Sequence, residues 1–514
     1  MDIRVLIEQI ENNLTLPYFF AQLITIIALF IYGYFFMVIL SDKSKEDRIL
    51  KVLLAYPMGL SVYSVVGYLM LTFGIYYSVF TVEIACFLAA AVTYVILRRK
   101  CGKEVVTDRV KVGFGVVGTR FGAAVLVIVI LAAALSCSGL LSVTVSNDSM
   151  YNYSFYPRAI VYFGGLRVNF DTFLTDVGQG CAIINTLPFL FGFNETFGIQ
   201  HMLNLSFIGL FYLAVFESFK GIEDKIGIKM CHVLSGVCTA LLMCSLPVVL
   251  ISKWILANDY FAVLMFICVY LAVKISDKRN ISVAALSIFI AALSIVRIEG
   301  GVFAALFILC ISTYKYSNRE LGLAMLCPVI ILHASYSARI FLTMDITAPY
   351  KFLTPMKALM MVGIMAAVLV YLLFIRGRLF NKFFGHLRLI IAVGLIGLNG
   401  LLFINNPSVY MGNLSTFIGN VMYKGGWGVI VAVVLSVYLI CLTNGFEFGY
   451  WDFMTFTYLF YSIAVSFMRE NGLQLGAGDS GNRVLLQVVP MLLFAAVSHI
   501  PKVLKESRGT GLGS

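Results

Sequence analysis

Apolar runs of span-forming length recur along this chain, separated by short polar turns and interrupted once by a long polar stretch. A helix rises 1.5 Å per residue, so about 17 to 25 apolar residues cross roughly 30 Å of hydrocarbon. Runs of this kind fall at about 17–40, 50–72, 76–97, 121–144, 196–217, 231–251, 257–275, 282–297, 300–314, 321–341, 357–375, 388–404, 428–443, 453–468 and 484–500. They predict an all-α polytopic membrane protein with about 13–15 transmembrane helices, because backbone amides in lipid have to be satisfied within the segment. The pair 282–297 and 300–314 is short and is broken by Arg297, Glu299 and two glycines.

The long polar stretch, about 145–196, follows the fourth run. Two parts of it read as amphipathic interfacial helices lying on the membrane: Met150 to Phe163, rich in Tyr and Phe with Arg158, and Cys181 to Phe193, apolar with Pro188. Aromatic side chains sit well at headgroup depth. Packing at that depth accounts for them at least as well as substrate contact does.

Charge orients the chain. With the N-terminus outside, the inner loops hold 26 of the 37 basic residues, concentrated at 43–51, 98–120, 220–229, 274–279, 315–319, 376–388 and 502–508. The positive-inside rule therefore puts the 145–196 loop outside and the C-terminus in the cytoplasm. Of 514 residues 61% are hydrophobic, and the mean hydropathy is +0.94, which places the protein in a membrane. The expected location is a bacterial cell membrane. The net charge of +11 is accounted for by these inner loops, so no nucleic-acid partner is expected. Eleven cysteines lie mostly in apolar runs with no CxxC pair, which argues against a disulfide framework or zinc site.

No signal peptide is expected, since the first sixteen residues carry acids and a single Arg. The basic loop 98–120 is the strongest boundary. It divides the chain into leading helices (1–120) and a larger module (121–508), and the closing GTGLGS (509–514) reads as a remnant of expression.

Candidate chemistry collects at the outer ends of spans. Asp148 sits in an SNDS turn just beyond a span, where a membrane enzyme would keep a base; capping the next helix is the alternative. Asp171 and Asp176 share its loop. KWILANDYF supplies Lys253 and Asp259, SIVRIEGG supplies Arg297 and Glu299, and GAGDSGNR supplies Asp479 and Arg483 before the last span. Ionisable groups at such depths are costly and are usually paired or functional. Arg binds phosphate bidentately, and a carboxylate takes the proton from an attacking hydroxyl. The set suits a reaction on a lipid-linked phosphate. The glycine-rich GAGDSGNR reads either as a phosphate-approaching loop or as a flexible connector. The five histidines are dispersed and HExxH is absent, so no metal or other cofactor is called for.

Four segments carry a resemblance to the GT-C glycosyltransferases, particularly the protein O-mannosyltransferase and aminoarabinose transferase branch. They are Asp148 after its span, TDVGQGCAIINTLPFLFGFNETFGIQHMLNLSFIGLF, ANDYFAVLMFICVYLAVK and NRVLLQVVPMLLF, and the likeness covers about 121–500. Asn147 stands where the family often has a second acid, and Arg297 where many members have Lys. The resemblance implies a GT-C-like bundle that moves a sugar, with inversion, from a polyprenyl-phosphate donor to a hydroxyl on a glycan, wall polymer or protein. Asp148 would be the base. Arg297, Arg483 or Lys253 would hold the donor phosphate, and Asp171, Asp176, Asp259, Glu299 and Asp479 would contact sugar or acceptor. Membrane lipids are the remaining expected partner. A transporter or flippase of lipid-linked saccharides, a polysaccharide polymerase or ligase, and a structural scaffold are the competing readings.

Overall fold

The computed structural model describes residues 16–40, 48–101, 120–136, 151–166, 178–192, 198–252, 256–276, 283–297, 299–312, 319–343, 355–374, 386–444, 447–467 and 473–506. Among them the regular elements are all helical. The helices run α1 (Leu16–Leu40), α2 (Arg48–Thr72), α3 (Val79–Cys101), α4 (Arg120–Ser136), α5 (Tyr156–Phe163), α6 (Gly180–Ile184) and α7 (Thr186–Leu190). They continue with α8 (Gly198–Lys220), α9 (Ile228–Met243), α10 (Leu246–Ser252), α11 (Ala257–Ser276), α12 (Val283–Val296), α13 (Gly300–Ser312), α14 (Arg319–Thr343) and α15 (Pro355–Phe374). The last five are α16 (Leu387–Asn405), α17 (Pro407–Gly419), α18 (Gly428–Thr443), α19 (Tyr450–Phe467) and α20 (Ser480–Glu506).

By length and composition, seven of the described helices can cross a membrane, or up to nine if each of two sharply bent pairs counts as one span. The seven lie in α1, α2, α8, α11, α14, α16 and α20; the bent pairs are α9 with α10, and α17 with α18. The protein is thus an all-α polytopic membrane protein, with fewer full-length spans among the described residues than the 13–15 expected. Several further apolar stretches of 10–17 described residues occur, α12 and α13 among them, and these two meet at the break made by Arg297, Glu299 and two glycines.

The helices form two compact units. The first contains α1–α3, α5–α7, the start of α8 to Leu203, and α11–α15. The second contains α4, α8 from Asn204, α9, α10, α16 from Leu389, and α17–α20. The leading helices are therefore part of the unit that holds α11–α13. Glycine lets the first two of them pack backbone to backbone. A Cβ on Gly33 of α1 would fall 1.8 Å from the Ala55 carbonyl oxygen, and one on Gly59 of α2 would fall 2.0 Å from that of Leu29. The two backbones touch directly, which only glycine permits. The Arg339 guanidinium then donates to the carbonyl of Leu71 at 2.7 Å, closing the C-terminal end of α2.

The 181–190 stretch differs from its expected place on the membrane surface: Cys181 through Leu190 are all buried. Three hydroxyls fix it. Thr186 donates to the Ile183 carbonyl at 2.6 Å, which leaves its oxygen to accept from Tyr63 at 2.7 Å and Tyr77 at 2.9 Å. The other predicted surface helix keeps its character. α5 buries Tyr156, Pro157 and Ile160 and exposes Tyr162, while Arg158 lies 5.2 Å from the Phe189 ring centroid.

Within the second unit, His232 stacks on Phe216 at 4.3 Å between centroids and shares a 2.8 Å hydrogen bond with Tyr212. Lys225 donates to the Leu504 carbonyl at 2.6 Å and so caps the last helix.

Gly59→Leu drives a side chain into the α1 backbone and is expected to cost several kcal/mol, beyond the ordinary range of overpacking of about 1–3 kcal/mol. Gly363→Ala is its control, since a Cβ there meets nothing within 4 Å. Thermal unfolding in detergent should show a large loss for the first variant and none for the second.

Candidate functional site

Three chain breaks in the first unit bring polar groups together. The first is the start of α11, where Asn258 and Asp259 are both buried in the opening turn. An acid there is favoured by the helix dipole. The second is the junction of α12 and α13. The Gly300 amide donates to the Arg297 carbonyl at 2.9 Å, and a Cβ on Gly300 would lie 2.6 Å from the Ser294 oxygen. Glycine lets the chain reverse against its own preceding turn, and the reversal puts Arg297 and Glu299 side by side. The third is the entry to α6. Gly178, at φ +86°, and Gly180 lie on the α12 terminus, with Cβ positions only 2.6 Å from the Arg297 Cα and 3.1 Å from the Ile295 carbonyl carbon.

At this meeting point the Arg297 guanidinium donates through Nε to Glu299 Oε1 at 2.5 Å and through Nη1 to Asn258 Oδ1. Side-chain exposure is 10% for Arg297 and 16% for Glu299. A guanidinium so held has its plane fixed by two bonds in different directions, which is the geometry that phosphate or carboxylate recognition requires. Gln179 is 2% exposed, and neither atom of its carboxamide has a hydrogen-bond partner among the described residues. A buried amide without partners is costly. Burial, and after it the Asp259 carboxylate, push the Cys181 thiol above its ordinary range. On the far side of α12, the His333 imidazole shares a 2.9 Å hydrogen bond with the Ser294 carbonyl.

The second unit carries the glycine-rich segment, and it is not a loose connector. Asn420 accepts from the Gly476 amide at 2.9 Å and donates to the Gln474 carbonyl at 3.1 Å. Asn482 donates to the Gly425 and Ala477 carbonyls, each at 2.7 Å, and accepts from the Trp427 indole. Arg483 turns back through Nε to the Gly478 carbonyl at 3.0 Å, and its own amide donates to the Asp479 carbonyl.

The expected site residues thus fall into three groups. Asp259, Arg297 and Glu299 gather in the first unit, while Asp479 and Arg483 share the loop at the start of α20 in the second. Asp148, Asp171, Asp176 and Lys253 lie outside the described residues. Asn258 and Gln179 join the Arg297 group without having been singled out. Their signal was adjacency, since both stand inside segments already flagged, ANDYF and DVGQG. Among the described residues no three His, Cys, Asp or Glu side chains gather as a metal would need. No family model, curated protein or solved structure matches this chain.

Glu299→Gln removes a counter-charge from the buried guanidinium and is expected to lower stability by about 2–4 kcal/mol, near the cost of breaking a buried pair. Gly178→Ala should also destabilise, through its positive φ and its clash with Arg297. Both are read as shifts of the thermal midpoint in one detergent. Unchanged midpoints would mean that the Arg297 junction is not packed as described.

Proposed function

We propose that this protein is a membrane glycosyltransferase that moves a sugar from a polyprenyl-phosphate donor onto a hydroxyl acceptor at the exterior face of the membrane. The observation that supports it best is the Arg297 guanidinium, buried and held by Asn258 and Glu299 at a helix break. Fixed cations in a partly dehydrated site stabilise a leaving phosphate with no reorganisation at the moment of reaction. In this reading Arg297 holds the donor phosphate and Glu299 orients it. Asp259, next in sequence to Asn258, and the unsatisfied Gln179 amide are the groups this reading assigns to sugar hydroxyls. Asp148 is the base on the strength of its sequence position and its likeness to the GT-C enzymes. It shares the acceptor proton in the transition state, which contributes about 10²- to 10⁴-fold. Arg483 and Lys253 stand as further phosphate ligands on the same sequence grounds.

The interrupted helices favour a second reading. Broken spans are where transporters keep their substrate sites, and α12–α13, α9–α10 and α17–α18 are all interrupted, the last two pairs bent by 63° and 96°. A flippase of lipid-linked saccharides would use the same phosphate ligand without breaking a bond.

A donor screen separates the two. Purified protein offered different polyprenyl-phosphate sugars is expected to release the lipid phosphate with one of them. Arg297→Gln should reduce that release by about 10²-fold or more, as loss of a preorganised donor does. Asp148→Asn should abolish it while the protein stays folded. If no donor is consumed but labelled lipid-linked saccharide crosses proteoliposomes, the transferase reading fails.

A further inference from the structure

Helix α17 continues through a π-turn, Asn420–Lys424, and is bent by 96° from α18. Where α18 crosses the bilayer, a helix turned through a right angle to it lies along the membrane. Its two faces are inverted relative to a helix on a water-soluble protein, where polar side chains face out. The inner face carries Asn413, Phe417 and Asn420, all buried. Asn413 accepts from the Leu473 amide at 2.9 Å and donates to the Ser466 carbonyl at 3.3 Å, and Asn420 holds Gly476 and Gln474 as described. The outer face carries Met411, Ile418 and Met422, spaced for one side of a helix and 51%, 51% and 59% exposed. Tyr423, 70% exposed, and Lys424 end the segment.

We infer that residues 407–424 form a lipid-contacting helix lying in one leaflet, with phospholipid acyl chains against the Met411–Ile418–Met422 ridge. Three features select lipid as the occupant. Carboxamides that would be content in water are all turned inward, where they satisfy backbone groups of the 466–476 segment. The outward face is apolar at Met411, Ile418 and Met422, is interrupted by the small hydroxyls of Ser408 and Ser415, and carries no ionisable group before Lys424. The ridge then ends in a Tyr–Lys pair, the combination that anchors segments at headgroup depth, where the ammonium meets lipid phosphate. The consequence for the fold is that the glycine-rich loop before α20 is held from beneath by a helix whose other side is in hydrocarbon. The inference is independent of sugar transfer.

Ile418→Trp in the full-length protein, reconstituted in phosphatidylcholine vesicles, tests it. Its emission, taken over the wild-type background, is expected to lose most of its intensity when the lipid carries bromine on the acyl chains, and to be insensitive to iodide in the water. Phe417→Trp, on the inner face, should respond to neither quencher. Met422→Trp, one turn further on, gives the same readout should Ile418→Trp fail to fold. Iodide quenching without bromolipid quenching would overturn the inference by placing the ridge in water. Loss of both, with Ile418→Cys cross-linking between chains, would overturn it by placing a second copy there. Neither readout depends on activity, so a failed donor screen leaves this result standing.

Discussion

A polar group inside a bilayer has no water to turn to, and nearly every distinctive contact in this protein answers that constraint. Where helices run unbroken, their own ladders are enough. Where they break, side chains have to finish the job, and this chain relies on carboxamides to do it. Asn413, Asn420 and Asn482 each serve at least two groups in and around the 473–483 loop. Asn399, in the middle of α16, donates to the Phe460 carbonyl at 3.2 Å and accepts from the Tyr410 hydroxyl at 3.0 Å. An amide offers donor and acceptor from one short side chain without carrying charge into hydrocarbon. Glycine does the complementary work by letting backbones meet where no side chain fits, at Gly33 and Gly59 and again at Gly178 and Gly180.

Much of this architecture was legible in the sequence, because hydropathy at span length reports directly on what a bilayer solvates. Helices α1, α2, α8, α11 and α16 lie close to where the apolar runs put them. The Arg297–Glu299 pair and its partner Asn258 stand in SIVRIEGG and ANDYF, two segments that charge at span ends had already drawn attention to. The losses are just as physical. α17 was not among the expected spans, because a helix with Asn413 and Asn420 on its inner face gives no unbroken apolar run that a hydropathy scan would catch. The burial of 181–190 was missed for the opposite reason. An apolar segment with Pro188 looks the same whether it rests on a membrane or inside a bundle, and only the Tyr63–Tyr77–Thr186 contacts, more than a hundred residues apart in sequence for Thr186, distinguish the two.

The same non-local contacts give the leading helices a place. Read along the chain, residues 1–120 precede the segments that supply the candidate site residues and have no obvious share in them. In the fold, α2 supplies Tyr63 to the hydroxyl triad that fixes α7, and Gly67 of α2 packs against Ile183, a Cβ there falling 2.5 Å from its side chain. The short helices held in this way begin at Gly178, which presses on Arg297. The geometry of the candidate phosphate ligand therefore depends on helices that carry no charged site residue themselves.

Two buried ionic clusters invite comparison, and the difference between them bears on which one is a site. In the second unit the Asp452 carboxylate, 1% exposed, accepts from Tyr438 at 2.6 Å, from the Gly449 amide at 2.7 Å and from His499 Nε2 at 2.9 and 3.0 Å. Both oxygens are saturated, one of them by closing a capping turn at the start of α19. Such a group has no capacity left for a ligand, and its four contacts tie α18, α19 and α20 together at one end. The Arg297 cluster is built otherwise. Its guanidinium is held by Asn258 and Glu299 at a helix break, and on the segment that packs there the Gln179 carboxamide is buried without a hydrogen-bond partner among the described residues. The Asn185 carboxamide is also buried without a partner among the described residues, but the chain on either side of Gln179, at Gly178 and Gly180, lies directly on the α12 terminus that carries Arg297, which is why an unsatisfied amide at this junction marks a place for a ligand to complete.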